Sequence, residues 1–205
     1  MELVALAVFA AGYGGYPLVH RIAGMGIDRR LRATLHRELR GAAASAAESE
    51  AGRALLMTAA QAHVRMLVFF AASAFLALGG AIGLLLNPQE AARLCEASLF
   101  ANSASDGAAL RFRTLAFSFL AAYAFLQFLW AHKALYHLTL AVQTQSAHRV
   151  RGFLDDLDQD LSRGLRTLYY LAILFLWFFG PEFLIVGTVI LTATLWRYDS
   201  RVVRI

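Results

Sequence analysis

Gln127 is the one amide in the apolar run from about Phe112 to Trp130. An amide surrounded by hydrocarbon is costly unless hydrogen-bonded, and at membrane depth it is a functional candidate. It can contact a substrate or ion, or simply bond to a neighbouring helix. A polar cluster follows it: His132, Lys133, Tyr136 and His137. Lys133 and His137 are four apart and share a helical face, as do His132 and Tyr136. The two histidines are five apart and do not share one, which argues against a two-histidine metal site. A simpler role is boundary anchoring, with Lys133 snorkelling beside the aromatic pair Trp130 and Tyr136. His63 and Arg65, at the start of another apolar run, can meet this cluster and extend the polar site.

Glu182 is the sharpest oddity, because it follows Gly180-Pro181 within an apolar block. In one continuous helix it would lie near mid-membrane and need neutralising. In a helical hairpin it would begin the second arm, where the helix dipole favours a carboxylate. Asp155, Asp156, Asp158 and Asp160 alternate with Leu154, Leu157 and Leu161. Their spacing lacks the glycine and register of a calcium loop, and a solvated amphipathic helix explains them. Neither a phosphate-binding loop, nor a nucleophile with its base, nor a zinc-helix motif occurs. The single cysteine, Cys95, allows no internal disulfide. The expectation is a protein without catalytic residues, metal or cofactor.

The elements that must position these residues follow from composition. The chain has 205 residues, 59% hydrophobic and 16% charged, with a mean hydropathy of +0.55. Soluble domains carry about a quarter charged residues, so the deviation is towards lipid. Net charge is +5, and of the 19 basic side chains only Lys133 is lysine. This skew, with abundant alanine, suggests a GC-rich bacterial source. The charge accompanies apolar blocks, where membrane orientation explains it better than nucleic-acid binding.

Spans are expected at about 3–19, 66–86, 112–130 and 167–196. Glu2 is the only charge ahead of the first block and the basic residues follow it, the reverse of a cleavable signal, so the first span is read as retained with its N-terminus outside. Amphipathic cytoplasmic helices are expected at about 27–62 and 150–166. The first repeats Leu31, Leu35 and Leu39 beside Arg29, Arg30, Arg32, Arg37 and Arg40, a pattern suited to anionic lipid headgroups. The last block is either one kinked helix or a hairpin broken at Gly180-Pro181. A hairpin returns Arg197, Arg201 and Arg204 to the inner side, as the positive-inside rule prefers, although each arm is short for a full crossing. The fold class is an all-α integral membrane bundle of about four spans in one membrane domain.

Three stretches, His63–Ser73, Phe125–Tyr136 and Tyr169–Pro181, resemble in order and spacing a family of small bacterial membrane proteins, Domain of Unknown Function family five-nine-nine. The resemblance would cover nearly the whole chain. Lys133 stands where that family pattern implies arginine, and a bidentate contact would be lost there. The family implies membrane class and supplies no activity. The reading that fits best is a non-catalytic accessory or scaffold subunit of a larger complex in the bacterial inner membrane. Its partners would be membrane lipids and other membrane subunits or further copies of itself, with no nucleic acid. The alternative is a small homo-oligomeric channel or transporter that uses the broken last block, and a weaker one is an anionic-lipid-binding protein.

Overall fold

A computed structural model describes residues 1–23, 49–87, 89, 93, 107–144 and 147–201. Among them the chain forms five helices and no strand: α1 (Glu2–Ala23), α2 (Glu50–Leu86), α3 (Gly107–Gln143), α4 (Ala147–Leu176) and α5 (Pro181–Arg201). Of these, α2 and α3 are long and apolar enough to cross a membrane, judged by length and composition. Arg29, Arg30, Arg32, Arg37 and Arg40 lie outside the described residues.

The helix ends follow from local chemistry. Ser49 caps α2, its hydroxyl accepting the Gly52 N–H at 3.1 Å. The chain then stays helical through the boundary expected near residue 62, since no proline or glycine pair interrupts it before Gly79-Gly80. Similarly, α4 joins the aspartate-rich stretch to the apolar stretch after Thr167 in one helix. A change of side-chain polarity does not by itself break a helix's backbone ladder. The break comes at Trp177–Gly180, where tighter bonds from each N–H to the carbonyl three residues back close α4. Gly180 takes φ +155°, and Pro181 starts α5, where its missing N–H costs nothing. The last apolar block is therefore two helices. Tyr170 bonds Thr192, and Gly187 approaches Ile173 and Leu176, so α4 and α5 run antiparallel as a hairpin.

The chain packs as two compact units. Unit 1 comprises residues 1–29, 76–121 and 167–205. Its core gathers Ala5, Phe9, Tyr170, Leu174, Trp177 and Leu184. Contacts of Phe9 with Tyr170 and of Glu2 with Trp177 run α1 antiparallel to α4. Gly12 lets α1 approach α5 closely, since a Cβ there would lie 2.7 Å from Thr188 Cγ2.

Unit 2 comprises residues 30–75 and 122–166. Phe70 of α2 stacks on Phe128 of α3 at 5.6 Å, and Gly164 of α4 receives the same Phe128 ring. A Cβ at residue 164 would be 2.8 Å from that ring, so glycine here serves packing even though it costs helix propensity. Ala131, Leu135 and Leu138 of α3, with Val150 and Leu157 of α4, continue the interior.

This packing makes Gly12 the most size-sensitive of the three α1 glycines. Gly12→Leu is expected to lower the thermal midpoint in detergent, at an overpacking cost of about 1–3 kcal/mol. Gly14→Leu is the control, because a Cβ there meets nothing within 4 Å. Equal midpoints for the two variants would contradict the close approach of α1 to α5.

Candidate functional site

Unit 1 contains a polar cluster that joins three elements. Glu2, in the first turn of α1, ion-pairs through Oε1 with Nη2 of Arg113 near the start of α3. Its other oxygen, Oε2, accepts the indole N–H of Trp177 at 2.6 Å. The Arg113 guanidinium also lies 5.7 Å from the centre of the Trp177 ring, and Phe112 meets that ring edge-on. The Arg113 side chain is only 3% exposed, whereas that of Glu2 is 41% exposed. Arg113 Nε is buried without a hydrogen-bond partner among the described residues. A buried guanidinium needs a counter-charge, and the first turn of α1 supplies it. In the sequence Glu2 stands out only as a leading charge, and Arg113 does not stand out at all. The available signal was a formal charge just inside an apolar run.

A second polar network lies farther along the helices of unit 1. The hydroxyls of Tyr13 and Thr167 are 3.1 Å apart, and those of Tyr170 and Thr192 are 3.0 Å apart. Tyr170 also donates to the Gly12 carbonyl at 3.0 Å. Thus α1, α4 and α5 are tied by hydroxyls at the position where Gly12 brings them together. Each group satisfies another, which is the arrangement of a structural clamp.

The residues singled out by sequence fall in two places. Glu182 lies in unit 1, exposed in the first turn of α5, and the break at Gly180 supports its role at a helix N-terminus. Arg65, Gln127, His132, Lys133, Tyr136 and His137 lie in unit 2. Gln127 is buried, and its Oε1 has no hydrogen-bond partner among the described residues. Arg65, His132, Lys133 and Tyr136 are exposed. His137 turns instead to α4, stacking on Phe153 with ring centres 5.3 Å apart. His63 donates its Nδ1–H to the Ala59 carbonyl, 2.9 Å away, and borders a cleft of about 110 Å³ with Leu56, Leu135, Leu138 and Leu157. The expected polar site is therefore split: one buried amide, a row of exposed groups on α3, and an apolar cleft. No group of three or more acidic, histidine or cysteine residues among those described is placed to hold a metal.

On α4, partial burial weakens the acidity of Asp160; the nearby Arg163 pulls the other way, and Asp156 adds to the shift. The fold therefore holds a proton on Asp160 more tightly than the unfolded chain does. Its contribution to stability is full below the unfolded value, about 4 for aspartate, and is lost as pH rises through the folded value. Asp160→Asn is accordingly expected to raise the melting midpoint at pH 7 and to lose that advantage near pH 4. A midpoint lowered equally at both pH values would contradict this.

The Glu2 cluster yields a second expectation. Glu2→Gln and Arg113→Gln should each lower the melting midpoint, and the double variant should fall by less than the sum. The coupling is about 1–2 kcal/mol, kept below that of a fully buried pair because Glu2 is partly solvated. Strict additivity would show that the pair contributes nothing.

Comparison with known proteins agrees with the pattern of the three aromatic stretches. A family model described as "Protein of unknown function, DUF599" matches residues 4–203. Neither the curated proteins nor the solved structures contain a match. With the match covering nearly the full length, this chain belongs to the DUF599 family.

Proposed function

We propose that this protein is a non-catalytic accessory or scaffold subunit, seated in the bacterial inner membrane and packed against another membrane protein. The observation that carries this reading is the bare face of α2. Only 17% of its most apolar 18-residue window is buried within the chain, compared with 33% for α3. Phe69, Ala72, Leu76 and Gly79 lie exposed along that helix, and a Cβ on Gly79, Gly80 or Gly83 would meet nothing within 4 Å. In lipid, apolarity alone does not bring helices together, and small residues that allow close backbone approach are the usual contact. The helix of 37 residues is about 55 Å long at 1.5 Å per residue, well beyond a hydrocarbon core of roughly 30 Å. Its polar first turns would then stand in water, with Arg65 near the boundary. The exposed Lys133 and Tyr136 of α3 suit the same boundary. The α4–α5 hairpin supports a return of the C-terminal arginines to the inner side, with the N-terminus outside.

A second reading, a homo-oligomeric channel or transporter, rests on Gln127. Its buried oxygen, unpartnered among the described residues, is an acceptor that a conducted ion or its water could use.

Purification of the tagged protein from its native membrane in mild detergent, followed by native mass analysis, separates the two. The accessory reading predicts a stoichiometric foreign subunit, lost in Gly79→Leu/Gly83→Leu while the isolated chain keeps its melting midpoint. That control is meaningful because a Cβ at either position meets nothing within 4 Å among the described residues. A clean homo-oligomer whose ion flux is abolished by Gln127→Leu would overturn the accessory reading in favour of the channel.

A further inference from the structure

We propose that Arg113 and Trp177 form a carboxylate-binding site that Glu2 of the same chain occupies, so that an external carboxylate binds by taking the place of Glu2. This inference is independent of the accessory role.

Two donors of different kinds converge on one carboxylate, the Arg113 guanidinium on Oε1 and the Trp177 indole N–H on Oε2. A planar fork beside a second, fixed donor is the arrangement that recognises carboxylates. The donors are held before any ligand arrives. Arg113 is 3% exposed and rests on the Trp177 ring, and Trp177 is fully buried in the unit 1 core. The fork is also under-used. Glu2 engages Nη2, and the buried Nε–H is left without a partner among the described residues, so the resident carboxylate does not satisfy the site. A ligand free to turn side-on can bond Nε and Nη2 together, which Glu2 does not do on its tether.

The occupant differs from the site in being accessible. Glu2 is 41% exposed and lies in the first turn of α1, the end of a helix that frays most readily. Exchanging one carboxylate for another keeps the buried guanidinium neutralised throughout, so release of Glu2 does not strand a charge. A simple structural salt bridge would pair the arginine fully and would show no affinity for outside acids. A self-occupied site has such an affinity, weakened by the competing side chain.

The test uses full-length protein in detergent with Trp130→Phe and Trp196→Phe, so that Trp177 alone reports. Its fluorescence is titrated with sodium propionate and, separately, with the blocked peptide acetyl-Gly-Glu-amide, with sodium chloride matched throughout. Glu2→Gln removes the counter-charge and leaves an amide oxygen that can accept from one of the two donors; circular dichroism and a monodisperse elution profile verify that this less stable protein is folded. The proposal predicts saturable binding in the Glu2→Gln protein, at least tenfold tighter than in the protein that retains Glu2, and its loss in Glu2→Gln/Arg113→Gln. A response to propionate and peptide alike assigns free acids as ligands. A response confined to the peptide assigns a protein-borne carboxylate. No saturable response in folded Glu2→Gln protein, or equal affinity with and without Glu2, overturns the proposal.

Discussion

Gly180 holds φ +155°, a backbone conformation open to glycine and strained for any L side chain, and Pro181 brings no N–H to carry the α4 ladder onward. The last apolar block must therefore reverse, and unit 1 depends on that reversal. It lays α5 antiparallel to α4, so Tyr170 and Thr192 meet, although they are separated by 22 positions in sequence. It leaves a groove that α1 enters at Gly12, the one α1 glycine whose Cβ would collide with α5. It also fixes Trp177 in the turn, with its indole N–H available to Glu2. Without the reversal, neither the hydroxyl clamp nor the Arg113 cluster has its third element.

Polarity in unit 1 is placed by the same geometry. The hydroxyl network ties the helices where glycine lets them close, and the Arg113 cluster ties the first turn of α1 to the hairpin turn. Both use polar groups to fix which helices meet, a choice that apolar surface alone leaves open, particularly in the proposed lipid setting. Unit 2 is held differently. Its buried interior is rich in alanine and leucine around Phe128, and Gly164 makes room for that ring. Among the described residues of that interior Gln127 is the fully buried polar side chain, and its oxygen is the observation behind the channel reading.

Much of this is legible in the chain itself. Helical class follows from long apolar blocks; at Gly180-Pro181-Glu182 a kinked helix and a hairpin are both open, and the C-terminal arginines only tilt the choice towards the hairpin. Burial of Gln127 follows from its apolar neighbours. Other features are hidden for physical reasons. The pairing of Glu2 with Arg113 spans 111 positions, and the bond from Trp177 to Glu2 spans 175; no local pattern encodes such contacts. The expected boundary near residue 166 is absent because a helix keeps its backbone bonds where its side chains change from polar to apolar. By spacing His137 is a partner for Lys133, yet the helix presents it to Phe153 of α4. Spacing gives the face of a residue, and only packing decides what meets that face.

The reversal at Gly180-Pro181 is open to direct measurement as a distance. Tyr169 and Ala193 are both exposed, one on each arm, and adjoin the bonded pair Tyr170 and Thr192. Spin labels at Tyr169→Cys and Ala193→Cys, with Cys95 replaced by serine, can be read by pulsed electron resonance in lipid nanodiscs. The hairpin predicts a separation below about 20 Å, since packed helix axes lie roughly 8–10 Å apart and each label adds its own length. A single continuous helix places the two positions roughly 36 Å apart, at 1.5 Å for each of 24 residues. A distance near that longer value would contradict the hairpin and, with it, the assembly of the Glu2–Arg113–Trp177 cluster.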